Sequence, residues 1–216
     1  MIPVLIMSCS RDRDLAIIAA RSALAAGAPI VIILDDPKNQ CRHRITMPGV
    51  EHYRGWAHRN GNLNGQEVIM EILNNMRDLA VRSGTGACLK LDSDTVVLSL
   101  DRFANAPHGR NRKGGGGFYG AAYSLDLPSI IKGIAECKSE KIQPPAPEDL
   151  TIWSLCGRPI AEESDFALAP CEVWQEYPAM PDAVTCGNPL SDGARRTPSE
   201  IKDRMTAVLT KANHAN

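Results

Sequence analysis

Short apolar runs alternate with longer segments of helical composition over the first 92 residues. The runs PVLIMSCS, PIVIILDD and ACLKLD are typical of buried strands, because apolar residues follow one another almost without polar breaks. Residues 13–27 and 64–83 are helical in composition, and apolar residues in the second segment recur at spacings of three and four. This strand–helix–strand order predicts a parallel sheet with right-handed crossovers. The predicted fold class is α/β, a mixed and mostly parallel sheet flanked by helices.

The pattern changes after residue 94. HGRNRKGGGG, residues 108–117, is basic and then glycine-rich, which predicts a mobile exposed loop with no packed element. FYGAAYSL has strand character, whereas DLPSIIKGIAECK, PEDLTIWSLCG and the tail after Pro198 have helical character. The polar region 36–63 predicts an exposed loop, in which VEHYR could form a short strand. Because no repeat and no long linker divides the chain, we expect a single domain over residues 1–216.

Composition limits the partners and the location of the chain. Lys and Arg number 24 against 25 Asp and Glu, so the net charge creates no electrostatic field that attracts nucleic acid. A charged ligand must therefore be bound by a local group of charged residues. The apolar start, residues 2–7, has no preceding basic residue and is too short for a signal or a membrane span. We therefore expect no transmembrane segment and a cytoplasmic location. Seven cysteines without a CxxC spacing predict reduced thiols and no structural zinc site.

Acidic residues follow two of the predicted strands. Asp35 and Asp36 come after VIIL, and Asp92 and Asp94 come after CLKL. Parallel sheets bind ligands at the carboxyl ends of their strands, and two carboxylates in an Asp-x-Asp sequence can face one Mg²⁺ or Mn²⁺ ion. Such an ion would bridge a diphosphate. The alternative is structural: Asp92 would cap the turn that follows and Asp94 would be solvated.

These landmarks resemble the GT-A fold glycosyltransferases that use nucleotide sugars. The chain begins with VLIMSCSRDR, carries Asp92-Ser93-Asp94 as the metal motif, and continues with GGGGFYGAAYSLDLPSII and PEDLTIWSLCG. The last two segments are similar in order and spacing to the fringe-like inverting enzymes. The resemblance covers about residues 3–157. It implies a nucleotide-binding half, residues 1–94, and an acceptor-side half, residues 95–216.

The resemblance also implies roles for individual residues. Asp94 would be a direct ligand of Mn²⁺ or Mg²⁺, and Asp92 would contact the metal or the ribose. Arg11 has a physical argument as well, because it follows a strand end where it could pair with a diphosphate. The residues implied to contact the nucleotide sugar are Ser8, Arg11, Asp35, Asp36, Asp92 and Ser93.

The resemblance implies that the catalytic base is one of the two acids in PEDL. Asp149 would take the proton of an acceptor hydroxyl, with Glu148 as the alternate, and inversion at the sugar follows from that assignment. The structural alternative is a pair of acids favoured by the helix dipole. Many GT-A enzymes supply a later histidine to the metal, whereas the only histidine after Asp149 is His214, near the chain end.

The function expected from the sequence is transfer of a sugar, from a UDP-sugar by preference, to an unidentified acceptor hydroxyl. One alternative is a nucleotidyltransferase, which normally carries a glycine-rich loop after its first strand, where SCSRDRD has no glycine. Another is a non-catalytic domain that binds nucleotide sugars, which the missing late histidine favours. No P-loop, HExxH or GxSxG sequence is present.

Overall fold

The computed structural model describes residues 1–38, 43–59, 65–111, 118–142, 147–158, 167–187 and 196–215. Six strands form the main sheet in the order β3-β2-β1-β4-β7-β6, and three short strands form a second sheet in the order β5-β9-β8. The main sheet contains β1 (Val4–Ser8), β2 (Val31–Asp35), β3 (Val50–Arg54), β4 (Ala87–Asp92), β6 (His108–Asn111) and β7 (Phe118–Asp126). The second sheet contains β5 (Thr95–Val97), β8 (Ala169–Pro170) and β9 (Ala183–Thr185). Strands β3, β2, β1 and β4 are parallel, and β7 is antiparallel to β4.

Five helices accompany the sheets within the described ranges. They are α1 (Arg13–Ala25), α2 (Gln66–Ser83), α3 (Leu127–Ser139), α4 (Glu148–Leu155) and α5 (Pro198–Ala215). Asp126 caps α3, because its carboxylate accepts a hydrogen bond from the Ser129 amide at 2.9 Å. Helix α2 ends at Gly84, whose φ of 67° is a left-handed conformation that glycine adopts without strain.

The main sheet is buried on both faces. Along β1, Val4 and Ile6 pack in the apolar cluster that includes α1 and α5, whereas Leu5 and Met7 pack in the cluster that includes α2, α3 and α4. This division follows from the two-residue period of a strand, which sends successive side chains to opposite faces. A strand covered on both faces reads as a continuous apolar run, which explains the sequence of β1 and β2.

The mixed, mostly parallel α/β sheet predicted from the sequence is confirmed, and VEHYR forms the edge strand β3. The prediction of a loop without packed structure over residues 108–117 is wrong for its first part. Residues 108–111 form β6, in which His108 pairs with Ser124 and Gly109 with Tyr123 on β7. The basic composition was misleading because Arg110 is satisfied inside the fold, donating to the Leu168 carbonyl at 2.8 Å. Residues 112–117 lie outside the described ranges.

None of the helices in the described part of the chain is both long enough and apolar enough to cross a lipid bilayer.

Candidate active site

The carboxyl ends of three neighbouring strands bring the predicted site residues to one edge of the sheet. Strand β1 lies between β2 and β4, with Ser8 opposite Asp35 and Met7 opposite Asp92 in register. Open parallel sheets bind ligands at this edge, where loops approach a ligand without breaking the hydrogen-bond ladder. The fold therefore places the Asp-x-Asp sequence at the edge where open α/β sheets bind their ligands.

A buried lysine joins the Asp-x-Asp sequence to the acidic pair of α4. The Lys90 ammonium Nζ lies 2.6 Å from Asp92 Oδ1 and 2.8 Å from Glu148 Oε1. It also donates to the Gly120 carbonyl at 2.6 Å. The Lys90 side chain is 0% exposed, whereas that of Asp92 is 34% exposed. The Lys90 ammonium thus connects the partly exposed carboxylate of Asp92 with the buried carboxylate of Glu148.

The position of Lys90 follows from the period of β4. Cys88, Lys90 and Asp92 alternate with apolar residues and share one face, and Cys88 packs in the cluster with α2, α3 and α4. Tyr123 is opposite Lys90 in the register of β7, with the ammonium 5.6 Å from its ring centroid. Burial alone would lower the pKa of Lys90, but the charges of Asp92 and Glu148 outweigh it and raise that pKa. The lysine therefore stays charged.

Glu148 and Asp149 are the first two residues of α4 and are both buried. Both carboxylates lie against Gly120 on β7: a methyl group built there would stand 3.2 Å from Glu148 Oε2 and 3.4 Å from Asp149 Oδ2. The Tyr123 hydroxyl donates to Glu148 Oε1 at 3.1 Å. Burial raises the pKa of Glu148 to about 7, with Asp92 and Asp149 adding to the effect and Lys90 opposing it. Such a carboxyl group can take or give a proton near neutral pH.

Asp94 lies in the turn between β4 and β5 and is partly buried. Its Oδ1 accepts a hydrogen bond from the Thr95 hydroxyl at 3.2 Å, and its backbone carbonyl accepts one from the Cys186 amide at 2.9 Å. Burial raises the pKa of Asp94 to about 7, and the negative charges of Asp92 and Asp12 contribute. Asp12 lies in the 3-10 turn Ser10–Asp12 after β1, so the site carries a further carboxylate that the sequence analysis missed.

Gly187 lies directly against the Asp94 carboxylate. A methyl group at position 187 would stand 2.7 Å from Asp94 Cγ, closer than carbon atoms can approach. We expect Gly187→Ala to destabilise the fold by about 1–3 kcal/mol, because the Asp94 side chain must move. Thermal melting checks this, with Gly187→Ala made both in the parent and in an Asp94→Gly background, which lacks the clashing side-chain atoms. If the clash is the cause, Gly187→Ala lowers the melting temperature less in the Asp94→Gly background than in the parent; an equal fall in both backgrounds contradicts it.

Asp35 and Asp36 are buried and engaged with the protein itself. His52 Nδ1 accepts from the Ile45 amide at 2.8 Å, so Nε2 carries the hydrogen and donates to Asp35 Oδ2 at 2.7 Å. Asp36 accepts from the amides of Lys38 at 2.8 Å and Arg59 at 3.2 Å. These contacts hold the loops that follow β2 and β3. The predicted contacts of Asp35 and Asp36 with a nucleotide remain predictions.

Arg59 is a second residue at this edge that the sequence analysis missed. Its buried guanidinium donates to the carbonyls of Ser8 at 2.8 Å and Leu34 at 3.0 Å, and Nη2 lies 3.4 Å from Glu71 Oε2. Arg59 thus ties the ends of β1 and β2 to α2. It stands in a polar stretch without periodicity, so no local pattern separates it from surface arginines.

Three further predicted contacts lie near the end of β1 or in the Asp-x-Asp turn. Ser8 is buried, with its hydroxyl directed to the Cys9 carbonyl at 3.4 Å. Arg11 is exposed, and a hydrogen bond with the Cys9 thiol is the largest cause of the rise in its pKa. Ser93 is buried between the two aspartates of the motif. Contact of any of them with a nucleotide sugar remains a prediction.

Asp92 and Asp94 fit a divalent cation by the chemistry of their donors. Both offer hard carboxylate oxygens, and the charge of Asp92 helps to raise the pKa of Asp94, a repulsion that a cation would relieve. Within the described ranges, no group of three or more His, Cys, Asp or Glu side chains could hold a metal ion. His214 lies exposed in the last turn of α5. The remaining ligands would have to come from the donor, from water or from residues outside these ranges.

Several solved glycosyltransferase structures are similar to this chain. The galactosyltransferase LgtC, in complex with donor and acceptor sugar analogs, matches with a TM-score of 0.57 and 8% identity, over 95% of this chain and 96% of that one. A glycosyltransferase involved in glycosylation of the major capsid of PBCV-1 matches with a TM-score of 0.52 and 12% identity, over 95% and 98%. GlyE of Streptococcus pneumoniae TIGR4 matches with a TM-score of 0.54 and 12% identity, over 98% of this chain and 63% of that one. No protein-family model and no curated protein sequence matches.

The sheet order and these similarities together define the class of the fold. The protein has the GT-A-like fold of these glycosyltransferases. At identities of 8–12% the likeness establishes architecture, and the chemistry has to be argued from the residues of this chain.

Proposed function

We propose that the protein is a glycosyltransferase that moves a sugar from a nucleoside diphosphate donor, a UDP-sugar by preference, to an acceptor hydroxyl. The observation that carries the proposal is the contact of Lys90 with both Asp92 and Glu148 at the carboxyl edge of a GT-A-like sheet. It joins a carboxylate of the donor-side motif to the acidic pair of the acceptor side. A plain structural turn at Asp92 would not require a buried cation behind it.

Electrostatics favour metal-dependent donor binding. Burial raises the pKa of Asp94, the charges of Asp92 and Asp12 add to that rise, and Lys90 is already shared between Asp92 and Glu148. A diphosphate carries negative charge and would be repelled by this edge of the sheet. Bound Mn²⁺ or Mg²⁺ would offset that repulsion and the charge that develops on the leaving diphosphate. Asp94 would hold the cation directly, and Asp92 would hold it or the ribose.

The chain's own residues would position the donor and accept a proton. In the transfer, the acceptor oxygen forms a bond to the anomeric carbon, the bond to the diphosphate breaks, and a base takes the hydroxyl proton. We assign the base to Asp149, because Glu148 is paired with Lys90 and holds the Tyr123 hydroxyl. A single base and direct displacement give inversion at the sugar carbon.

Two variants separate the roles of the acidic pair. We expect Asp149→Asn to lower turnover by about 10²–10⁴-fold, with a melting temperature close to that of the parent, because general-base catalysis contributes that much. Glu148→Gln should instead keep most of the turnover, because the glutamine oxygen can still accept from Lys90 and from the Tyr123 hydroxyl. Turnover and thermal melting are measured on both variants. Loss of turnover in Glu148→Gln with full turnover in Asp149→Asn would assign the base to Glu148 instead.

The experiment that tests the proposed function is donor cleavage with a panel of nucleotide sugars and Mn²⁺. Water can take the place of the acceptor hydroxyl as the nucleophile, so no acceptor needs to be known. We expect release of free sugar and nucleoside diphosphate from at least one UDP-sugar, and proton NMR of the first-formed anomer reports inversion or retention. Release of pyrophosphate from a sugar phosphate and a nucleoside triphosphate would indicate the nucleotidyltransferase alternative. Binding of donors without cleavage, with and without candidate hydroxyl acceptors, would indicate a non-catalytic domain.

A further inference from the structure

Cys171 and Cys186 directly follow two paired strands of the second sheet. Strands β8 and β9 are parallel, with Ala169 opposite Val184 and Pro170 opposite Thr185. The Cys171 amide continues the ladder by donating to the Thr185 carbonyl at 3.0 Å. Cys171 and Cys186 are therefore the next pair in register. Neighbouring strands are about 4.8 Å apart, within the range of about 4.4–6.8 Å that a disulfide requires between Cα atoms.

The surroundings of the two thiols differ. Cys171 is half-buried, and Arg204 on α5 places Nη1 at 3.2 Å from its sulfur. The hydrogen bond with Cys186 lowers the pKa of Cys171 to about 7, with Arg204 assisting and with burial and Glu172 opposing. Cys186, by contrast, is buried. Arg196 also faces this group, because it pairs with Glu172 at 2.6 Å.

Other cysteines do not share these conditions. Burial raises the pKa of Cys88, and it raises that of Cys156 to about 12. Cys9 is partly exposed, but burial and its hydrogen bond to Asp12 raise its pKa. A thiolate is the nucleophile in disulfide exchange, and a nearby guanidinium favours it. The structure thus distinguishes Cys171 by its register partner and by its cationic neighbour.

We propose that Cys171 and Cys186 form a thiol modification site that reacts with small-molecule disulfides and closes to an internal disulfide. The Cys171 thiolate attacks one sulfur of the small disulfide, which forms a mixed disulfide and releases one thiolate. Cys186 then loses its proton to solvent and attacks the Cys171 sulfur, which releases the second small thiol. Two protein thiols are oxidised and one small disulfide is reduced to two thiols, so atoms and electrons balance.

A disulfide between Cys171 and Cys186 would lie next to the candidate active site. The Cys186 amide binds the Asp94 carbonyl at 2.9 Å, and the next residue, Gly187, lies against the Asp94 carboxylate. Linking Cys186 to Cys171 would restrain the strand end that supports Asp94. This site goes beyond the proposed sugar transfer, and its formation can be measured without any donor or acceptor.

The test treats the full-length Cys41→Ser protein with oxidised glutathione at pH 7, followed by alkylation, intact mass and peptide mapping. The substitution removes the one cysteine that lies outside the described residues. We expect loss of two hydrogen atoms and a peptide pair joined through Cys171 and Cys186, formed at least about tenfold faster than any adduct at Cys9. The reaction of this otherwise unaltered chain decides the question even if further cysteine variants fold poorly.

Two further variants test whether Cys186 is the cysteine that closes the disulfide. Cys186→Ser should stop at a glutathione adduct on Cys171, whereas Cys137→Ser, which changes a cysteine on α3, should leave the joined peptide pair unchanged. A stable adduct on Cys171 when Cys186 is present would overturn the proposal. So would faster modification of Cys9, or no joined peptide pair after complete consumption of other reactive thiols.

Discussion

Asp94→Asn should lower sugar transfer by at least about 100-fold, because Asp94 is the residue proposed to hold the cation that would neutralise the donor diphosphate. The same change should not harm the metal-free fold. Burial and neighbouring carboxylates raise the pKa of Asp94 to about 7, so its charge destabilises the folded state. With an ordinary unfolded pKa of about 3.9, that cost grows between about pH 4 and pH 7 and stays constant above. The variant should therefore melt higher than the parent at pH 8 and alike at pH 4.

The matched control is Asp101→Asn, the same chemical change at an exposed turn position. It should keep transfer activity and alter the melting temperature by no more than a surface substitution does. Transfer assays and thermal melting at pH 4 and pH 8 complete the comparison. If Asp94→Asn retained full metal-dependent transfer, Asp94 would not be a ligand of the cation.

Lys90→Met should have the largest effect on stability. The change leaves Asp92 and the buried Glu148 without their shared cation, and breaking a buried ion pair from one side costs about 3–5 kcal/mol. For a chain of this size, about 2–4 °C of melting temperature is lost per kcal/mol, so we expect a fall of about 6–20 °C. Glu148→Gln in the same background should recover part of the loss, because it removes a buried charge left unpaired.

Arg77→Met is the control for Lys90→Met, because it also removes a cation from an ion pair. Arg77 and Asp78 pair at 2.7 Å on the surface of α2, with side chains 40% and 60% exposed. Exposed pairs contribute about 0–1 kcal/mol, so Arg77→Met should melt within about 4 °C of the parent. Equal effects of the two substitutions would show that the contacts of Lys90 stabilise the fold no more than an exposed ion pair does. Lys90 would then not link the Asp-x-Asp sequence to the acidic pair of α4.

The sequence predicts the sheet because local periodicity suffices for it. The runs that form β1 and β2 are apolar on both faces, the run that forms β4 is apolar apart from Lys90 and Asp92, and α2 repeats apolar residues at spacings of three and four. The acids at the ends of β2 and β4 then follow from topology, since the ends of parallel strands share one edge. Strand β6 could not be predicted in this way, because its residues are polar and its pairing depends on β7.

Which side chains contact one another in the site depends on packing between segments that are distant in sequence. Lys90 was visible in the sequence as a lysine inside a buried strand, which is a signal for a paired charge, but the sequence does not say that Glu148 lies across from it. Asp12 and Arg59 stand in polar stretches that resemble ordinary surface loops. Their proximity to the edge of the sheet arises only when the loops after β1 and β3 fold back.

Calorimetric titration tests most directly whether the carboxyl edge of the sheet binds a nucleoside diphosphate with the help of a metal ion. UDP, GDP, CDP and ADP are titrated into the protein with and without Mn²⁺, and into Asp94→Asn and Asp101→Asn. We predict binding of UDP that requires Mn²⁺, is lost in Asp94→Asn and is kept in Asp101→Asn. Absence of binding by all four nucleotides, in protein that melts cooperatively and with Mn²⁺ present, would contradict the proposed function.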